Sequence, residues 1–333
     1  MAEHTVTFDL TPQPIRVPTG TLLIEAARLA GIDIGQPCGG QGRCGRCAVI
    51  VNNGDVRRRS TLRLSDKDVA AGYALACQSV IEGDVAVVVP PQEKIERRLT
   101  TDRVVADVTV PIGYAPDRVQ PIKRIALSLI PPSMDDQTDD WSRLQVGLRQ
   151  KTAAAEISAS LNTLRRIGSI LRESNWQVTA VVDTNFSSQP STCRLIDLVP
   201  GLIPTGAPLW GMAIDIGTTT VTCWLVDLIS GTVKKQAAEY NRQITRGEDV
   251  ISRIIYANKN GGGPELQSLV ISTINALIDE VCVRAGIHTA DIVKATIAGN
   301  STMLHLLLNV PAASIRLSPF ITAINHVPPF RAQ

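Results

Sequence analysis

CGGQGRCGRC, residues 38–47, is the stretch on which the reading of this chain turns. It carries Cys38, Cys44 and Cys47, and Cys77 follows in ALACQSV. Three thiolates on one glycine-rich loop plus a distant fourth is the ligand pattern of a [2Fe–2S] cluster, which carries one electron. Each iron takes two protein sulfurs, so a loop that supplies three of them must fold back on itself. The loop's glycines allow the necessary backbone angles. They also let N–H groups approach the cluster sulfurs, which helps to set the potential.

Five residues, Gly39 to Arg43, separate the first two cysteines, one more than in the plant-type spacing. That departure resembles the adrenodoxin-like variant and removes no ligand. A structural zinc site is the competing reading, because four cysteines also suit zinc. Zinc ribbons usually present two CxxC pairs on separate knuckles, however, and only Cys44 and Cys47 are so spaced. Disulfides fit less well: the chain has 7 cysteines, an odd number, and no secretion signal is legible before them. Cys193, Cys223 and Cys282 stand in apolar surroundings and read as packing residues.

The flanks predict a β-grasp, ferredoxin-like domain over residues 1–91. Residues 4–10 alternate like a strand and 14–18 supply a hairpin partner. Thr21 is placed to cap a helix from Leu22 to Leu29 that ends at Gly31. Residues 47–52 and 84–89 read as strands, with Cys77 just before the closing one.

The chain has 333 residues, 44% hydrophobic, and a net charge of +2. The length suits two or three domains. The charge argues against a nucleic-acid partner. No apolar run is expected to approach the length of a membrane span, and a reducing cytoplasm is the expected compartment. Arg57 to Arg59 and Arg97 with Arg98 read as solvated faces. Arg43 and Arg46 flank cluster ligands and suit the docking of an acidic redox partner.

Beyond the ferredoxin-like domain, residues 92–130 read as a linker, with a strand expected over 103–110. A small α/β middle domain is expected over 131–208. It has helices near Trp141 and over 156–172, the latter with Ile157, Leu161, Leu164, Ile167 and Leu171 on one side. Strands are expected at 176–183 and 193–199. The third domain, 209–333, opens with WGMAIDIG at 210–217, a buried strand, and TTT at its turn. Two further strands make a meander whose first tip carries a glycine and three hydroxyls. Such a tip suits phosphate oxygens, and Asp215 beside it suits Mg²⁺ held through water; a β-turn that binds nothing accounts for the tip as well. A helix around 250–255, a longer one over 264–285 and a buried strand over 292–300 follow. Ser301 or Thr302 is placed to cap the helix after that strand. His305 reads as a core or polar-network residue.

Together these features resemble the reductive activators of corrinoid proteins. The resemblance rests on CGGQGRCGRC with Cys77, AIDIGTTTVTCWLVDLISG, NRQITRGEDVISRI and IAGNSTMLHLLL. It implies an α+β multidomain chain: a ferredoxin-like domain, a small middle domain and an incomplete actin/sugar-kinase-like (ribonuclease H-like) ATPase domain. By this likeness Cys38, Cys44, Cys47 and Cys77 hold the cluster, while Asp215, Gly217, Thr218, Thr219 and Thr220 match the first phosphate motif. The implied cofactors are a [2Fe–2S] cluster and, in the full-length form, ATP with Mg²⁺. The implied partners are a corrinoid protein or corrinoid-dependent methyltransferase and a low-potential electron donor, with a homodimer among the assemblies admitted. The implied activity is ATP-driven reduction of Co(II) to Co(I). The class needs a second phosphate loop with an Asp-Gly element, and no Asp or Glu follows Asp291. The expectation is therefore a C-terminally truncated member that does not hydrolyse ATP. A small-molecule kinase with a redox-sensing cluster and a plain ferredoxin carrier with docking domains are the alternatives.

Overall fold

The computed structural model describes residues 2–91, 110, 113–152, 154–184, 191–259 and 261–329. The expected strand at 103–110 falls almost wholly outside these residues. Three sheet-based units follow one another along the chain.

The first unit holds β1 (Glu3–Phe8), β2 (Ile15–Pro18), α1 (Leu23–Leu29), β3 (Ala48–Asn53), β4 (Val56–Arg58), α2 (Asp66–Ala70), β5 (Tyr73–Leu75), β6 (Ser79–Ile81) and β7 (Val85–Val88). Its main sheet runs β2-β1-β7-β3-β5, with β1 and β7 parallel at its heart and antiparallel neighbours outside. A parallel central pair with α1 packed on it is the β-grasp arrangement expected. Leu23, Ala26 and Ala27 of α1 are buried with Val6, Val17, Val49, Leu75 and Val87. The cap differs from expectation: the Thr21 hydroxyl donates to the Pro18 carbonyl at 2.7 Å, tying off the hairpin, and Leu22 takes the position before the helix. Gly31 ends α1 as expected, in the left-handed region at φ +75°.

After α3 (Pro116–Val119), the second unit holds β8 (Ile122–Ser128), α4 (Asp140–Thr152), β9 (Glu156–Ala159), α5 (Leu161–Glu173), β10 (Gln177–Asp183) and β11 (Thr192–Pro200), in sheet order β8-β10-β11-β9. The stretch read as linker to residue 130 therefore supplies a strand: Ile122 to Ser128 pair antiparallel with Asp183 to Gln177. The helix expected over 156–172 is also corrected. Residues 156–159 form a strand, and the Ser160 hydroxyl accepts from the Thr163 N–H at 3.1 Å, starting the helix afterwards. Ile157 is thus a strand residue, Leu161 and Leu164 are exposed, and Ile167, Ile170 and Leu171 carry the buried face.

The third unit holds β12 (Trp210–Ile216), β13 (Thr220–Asp227), β14 (Thr232–Tyr240), α6 (Val250–Ala257), α7 (Gly262–Ala285), β15 (Ile292–Gly299) and α8 (Ser301–Leu307). The sheet runs β14-β13-β12-β15, an antiparallel meander with β15 parallel to β12. β15 was expected to be buried. Among the described residues it lies at the sheet edge, and Ala295 to Ala298 are exposed. α7 corrects the expectation of no membrane-length run, since by length and composition it is long and apolar enough to cross one. Here Leu266, Val270, Ile274, Leu277 and Val281 of α7 pack with Ile214, Val221, Cys223 and Leu225 of the sheet. A core helix on a sheet passes the same compositional test.

Candidate functional site

The loop between α1 and β3 brings the first three cysteines together, and a short 3₁₀ turn, Ala76–Gln78, brings the fourth. They meet as two pairs. The Cys47 thiol donates to Cys77 Sγ at 3.2 Å, both buried. Cys44 donates to Cys38, half-buried nearer the surface. The hydrogen bond from Cys44 holds the Cys38 thiol down to about 4, against burial and with help from the N–H groups of Arg43, Cys44 and Gln41. The same bond, with burial, pushes Cys44 up. In the inner pair Cys77 is held down chiefly by Cys47, aided by the Gly42 N–H, and Cys47 is pushed up by that bond and by burial.

Among the described residues no group of three or more His, Cys, Asp or Glu side chains is disposed around a single metal ion. Two thiol pairs are instead what a two-iron cluster needs, two ligands to each iron. The loop's N–H groups already point at the sulfurs that would carry negative charge. Donor set and surroundings therefore fit a [2Fe–2S] cluster. Gln78, which sequence reasoning passed over, donates to the Gly40 carbonyl at 2.8 Å. Arg63 donates to the Arg43 carbonyl at 2.5 Å. Gln78 directly follows the fourth cysteine, which was the one signal available.

The hairpin tip of the third unit is built from below. Asn241, fully buried, donates to the Gly217 carbonyl at 3.0 Å, and its own N–H reaches the Thr219 carbonyl at 2.9 Å. Arg253, also fully buried, donates to the carbonyls of Thr218 and Gly247 and to Gln243 Oε1. Burial pulls its guanidinium down to about 10. β15 runs beside β12 with Gly299 opposite Ile216, so Asn300 reaches Thr218 Oγ1 at 3.4 Å. Asn300, not Ser301 or Thr302, caps α8, because its side chain accepts from the Met303 N–H at 3.0 Å. Gly217, Thr218, Thr219 and Thr220 thus gather at the tip, and Asp215 is exposed at the end of β12. His305 is buried in a polar network as expected: its ring bonds the Ser301 carbonyl, and Nε2 accepts from the Ala323 N–H at 3.1 Å. Cys193, Cys223 and Cys282 are buried in the second and third units, and burial pushes the Cys193 and Cys223 thiols up to about 11 and 12.

The two sites are joined by residues 241–259. The Gln36 N–H reaches the Thr245 carbonyl at 2.9 Å and the Glu248 N–H the Pro37 carbonyl at 2.5 Å. Arg246 pairs with Asp33 at 2.6 Å and Glu265 at 2.7 Å, and Glu265 also pairs with Arg28 at 3.1 Å. Burial would lower Arg246, but Glu265 and Asp33 outweigh it and hold the guanidinium above its usual value. Burial would raise Glu265, but Tyr256 and Arg246 outweigh it and hold the carboxyl low.

The comparisons agree with this geometry. Residues 6–82 match the 2Fe-2S iron-sulfur cluster binding domain. Residues 118–203 match the RACo linker region, and 210–333 the RACo middle region. The chain is thus a multidomain iron–sulfur protein with a ferredoxin-type [2Fe–2S] domain. It is a relative of the reductive activators of corrinoid proteins along nearly its whole length. The corrinoid activation enzyme RamQ of Eubacterium limosum is 29% identical over 327 residues, 95% of this chain and 48% of that protein. A solved reductive activator for corrinoid, iron-sulfur protein is 36% identical with a TM-score of 0.56, over 98% of this chain and 52% of that one. The ferredoxin unit alone is 40% identical over 85 residues to the glycine betaine monooxygenase reductase subunit of Pseudomonas aeruginosa, 26% of this chain and 23% of that protein. The chain spans about half the length of the two corrinoid activators.

Proposed function

We propose that this chain is an iron–sulfur electron-transfer protein which, in its full-length form, serves the ATP-dependent reductive activation of a corrinoid protein, returning Co(II) to Co(I). The observation that carries the reading is the joining of a paired-thiol loop to a phosphate-type hairpin in the domain order of the corrinoid activators. In this reading Cys38 and Cys44 hold one iron and Cys47 and Cys77 the other. The bound cluster supplies a one-electron carrier, near about −400 mV for plant-type centres. The chain's own part is to shield the inner thiol pair, to leave the outer pair near the surface for exchange with partners, and to aim N–H groups at the sulfurs.

The third unit is read as the opening part of an actin/sugar-kinase-like ATPase domain. A meander whose first strand pairs in parallel with a later strand supports that assignment. Gly217, Thr218, Thr219 and Thr220 take phosphate oxygens, and Asp215 holds Mg²⁺ through water. Asn241 and Arg253 fix the backbone of the tip before a ligand arrives. The proposed partners are a corrinoid protein and a low-potential donor, in a reducing cytoplasm where an iron–sulfur centre survives.

Anaerobic purification followed by visible and EPR spectroscopy tests the cluster: brown when oxidised, rhombic when reduced. Mixing the reduced protein and ATP with an oxidised corrinoid protein, beside a full-length relative, tests the role by Co(I) absorbance. Failure of the full-length relative to reduce any corrinoid protein would remove the ground for the proposal.

A further inference from the structure

Lys259 reaches the cluster loop from another unit of the chain. It follows α6, and its Nζ donates to the Gly39 carbonyl at 2.8 Å. A Cβ built on Gly40 would lie 2.6 Å from that Nζ and 3.8 Å from Cys77 Cβ. The ammonium, the loop backbone and a cluster cysteine therefore share one corner. The approach depends on glycine: Gly39 and Gly40 have φ of +65° and +75°, and a Cβ on Gly39 would meet the Ser252 carbonyl oxygen at 2.5 Å. The contacts of Gln36 with Thr245, of Pro37 with Glu248 and of Asp33 with Arg246 press the same loop onto the third unit. Arg43 and Arg46 belong to the loop and travel with it. Lys259 is present only while the two units are docked.

We infer that Lys259 tunes the cluster, so that its reduction potential senses whether the ferredoxin unit is seated on the third unit. The inference rests on the [2Fe–2S] reading. One-electron reduction adds a negative charge behind the loop that carries Gly39. A cation hydrogen-bonded to that loop favours the charge, and net charge, hydrogen bonding and exposure are what set such potentials. Docking therefore raises the potential and undocking lowers it. The segment that presents Lys259 also carries Asn241 and Arg253, which grip the hairpin tip, so a ligand at the tip acts on the same segment.

The test is an anaerobic spectroelectrochemical titration of the reconstituted full chain, the electron coming from the electrode through mediators. Lys259→Met is expected to shift the reduction equilibrium against the reduced form by about three- to tenfold, tenfold being ~59 mV for one electron. Lys259→Arg is expected to stay near the wild type. Arg246→Met, which loosens docking, should lower the wild-type potential but add little in the Lys259→Met background. A Lys259→Met potential equal to the wild type overturns the inference, as does a Lys259→Arg potential displaced as far as that of Lys259→Met. A wild type without a [2Fe–2S] spectrum refutes the cluster reading and the inference with it. A normal spectrum with an unmoved potential refutes the tuning alone.

Discussion

Arg246→Met should cost the folded chain about 2–3 kcal/mol, and the structure says which arm of the contact supplies it. The guanidinium joins two units, through Nη2 to Asp33 and Nε to Glu265. Its side chain is 9% exposed, that of Glu265 21% and that of Asp33 69%. Solvent screens the Asp33 arm, and exposed pairs contribute at most about 1 kcal/mol. The Glu265 arm is different, because removing one partner of a buried pair strands the other and costs about 3–5 kcal/mol. Glu265 keeps Tyr256 and Arg28 as partners and is not wholly buried, which brings the expectation down. In urea unfolding followed by tryptophan fluorescence, this is a midpoint lower by about 1 M at a typical slope of about 2 kcal/mol/M. Asp33→Asn should shift the midpoint by less than half as much. A loss below about 1 kcal/mol for Arg246→Met, or an Asp33→Asn effect as large, would refute the assignment of the energy to the buried arm.

Cys77→Ala should abolish the visible and EPR signals and reduce bound iron from about two per chain, while Cys282→Ala, inside α7, leaves them unchanged; equal spectra for the two variants would overturn the ligand assignment. Stability should fall on acidification. Glu265 is held below its ordinary 4.5, so its contribution is present above that value and is lost as pH drops through the lower folded value. Urea midpoints measured from pH 7 downward should decline less steeply for Glu265→Gln than for the wild type, and parallel curves would contradict this. Asn241→Ala leaves the partly buried Gly217 carbonyl without its side-chain donor, which should cost about 0.5–1.5 kcal/mol and weaken Mg-nucleotide binding in calorimetry; undiminished nucleotide affinity would separate Asn241 from the tip's function.

The cluster loop was legible because its chemistry is local. Three cysteines and the intervening glycines lie within ten consecutive residues, and Cys77 could be added by residue type alone. The meander of the third unit was legible for a similar reason, since hydrophobic strands alternate with polar turns. What escaped depended on partners distant in sequence. Ile157 shares helical spacing with Ile167 and Leu171, yet the Ser160 cap divides that pattern into a strand and a helix. Thr21 was a plausible cap by type, but the Pro18 carbonyl claims its hydroxyl. β8 hid in a proline-marked stretch because its pairing partner, β10, lies some fifty residues on. Lys259, Arg246 and Arg253 carried no signal in the sequence, because their partners, Gly39, Asp33 and Thr218, lie far away along the chain.

Among the described residues no strand pairs with the outer side of β15, Ile292–Gly299, a segment composed like an interior strand. Such a border attracts further strands, whether from a neighbouring polypeptide or from a second copy in concentrated solution. Preparations of residues 1–333 should therefore self-associate as concentration rises. Ala298→Lys, which sets a charge on the edge strand, is the simplest way to keep them dispersed.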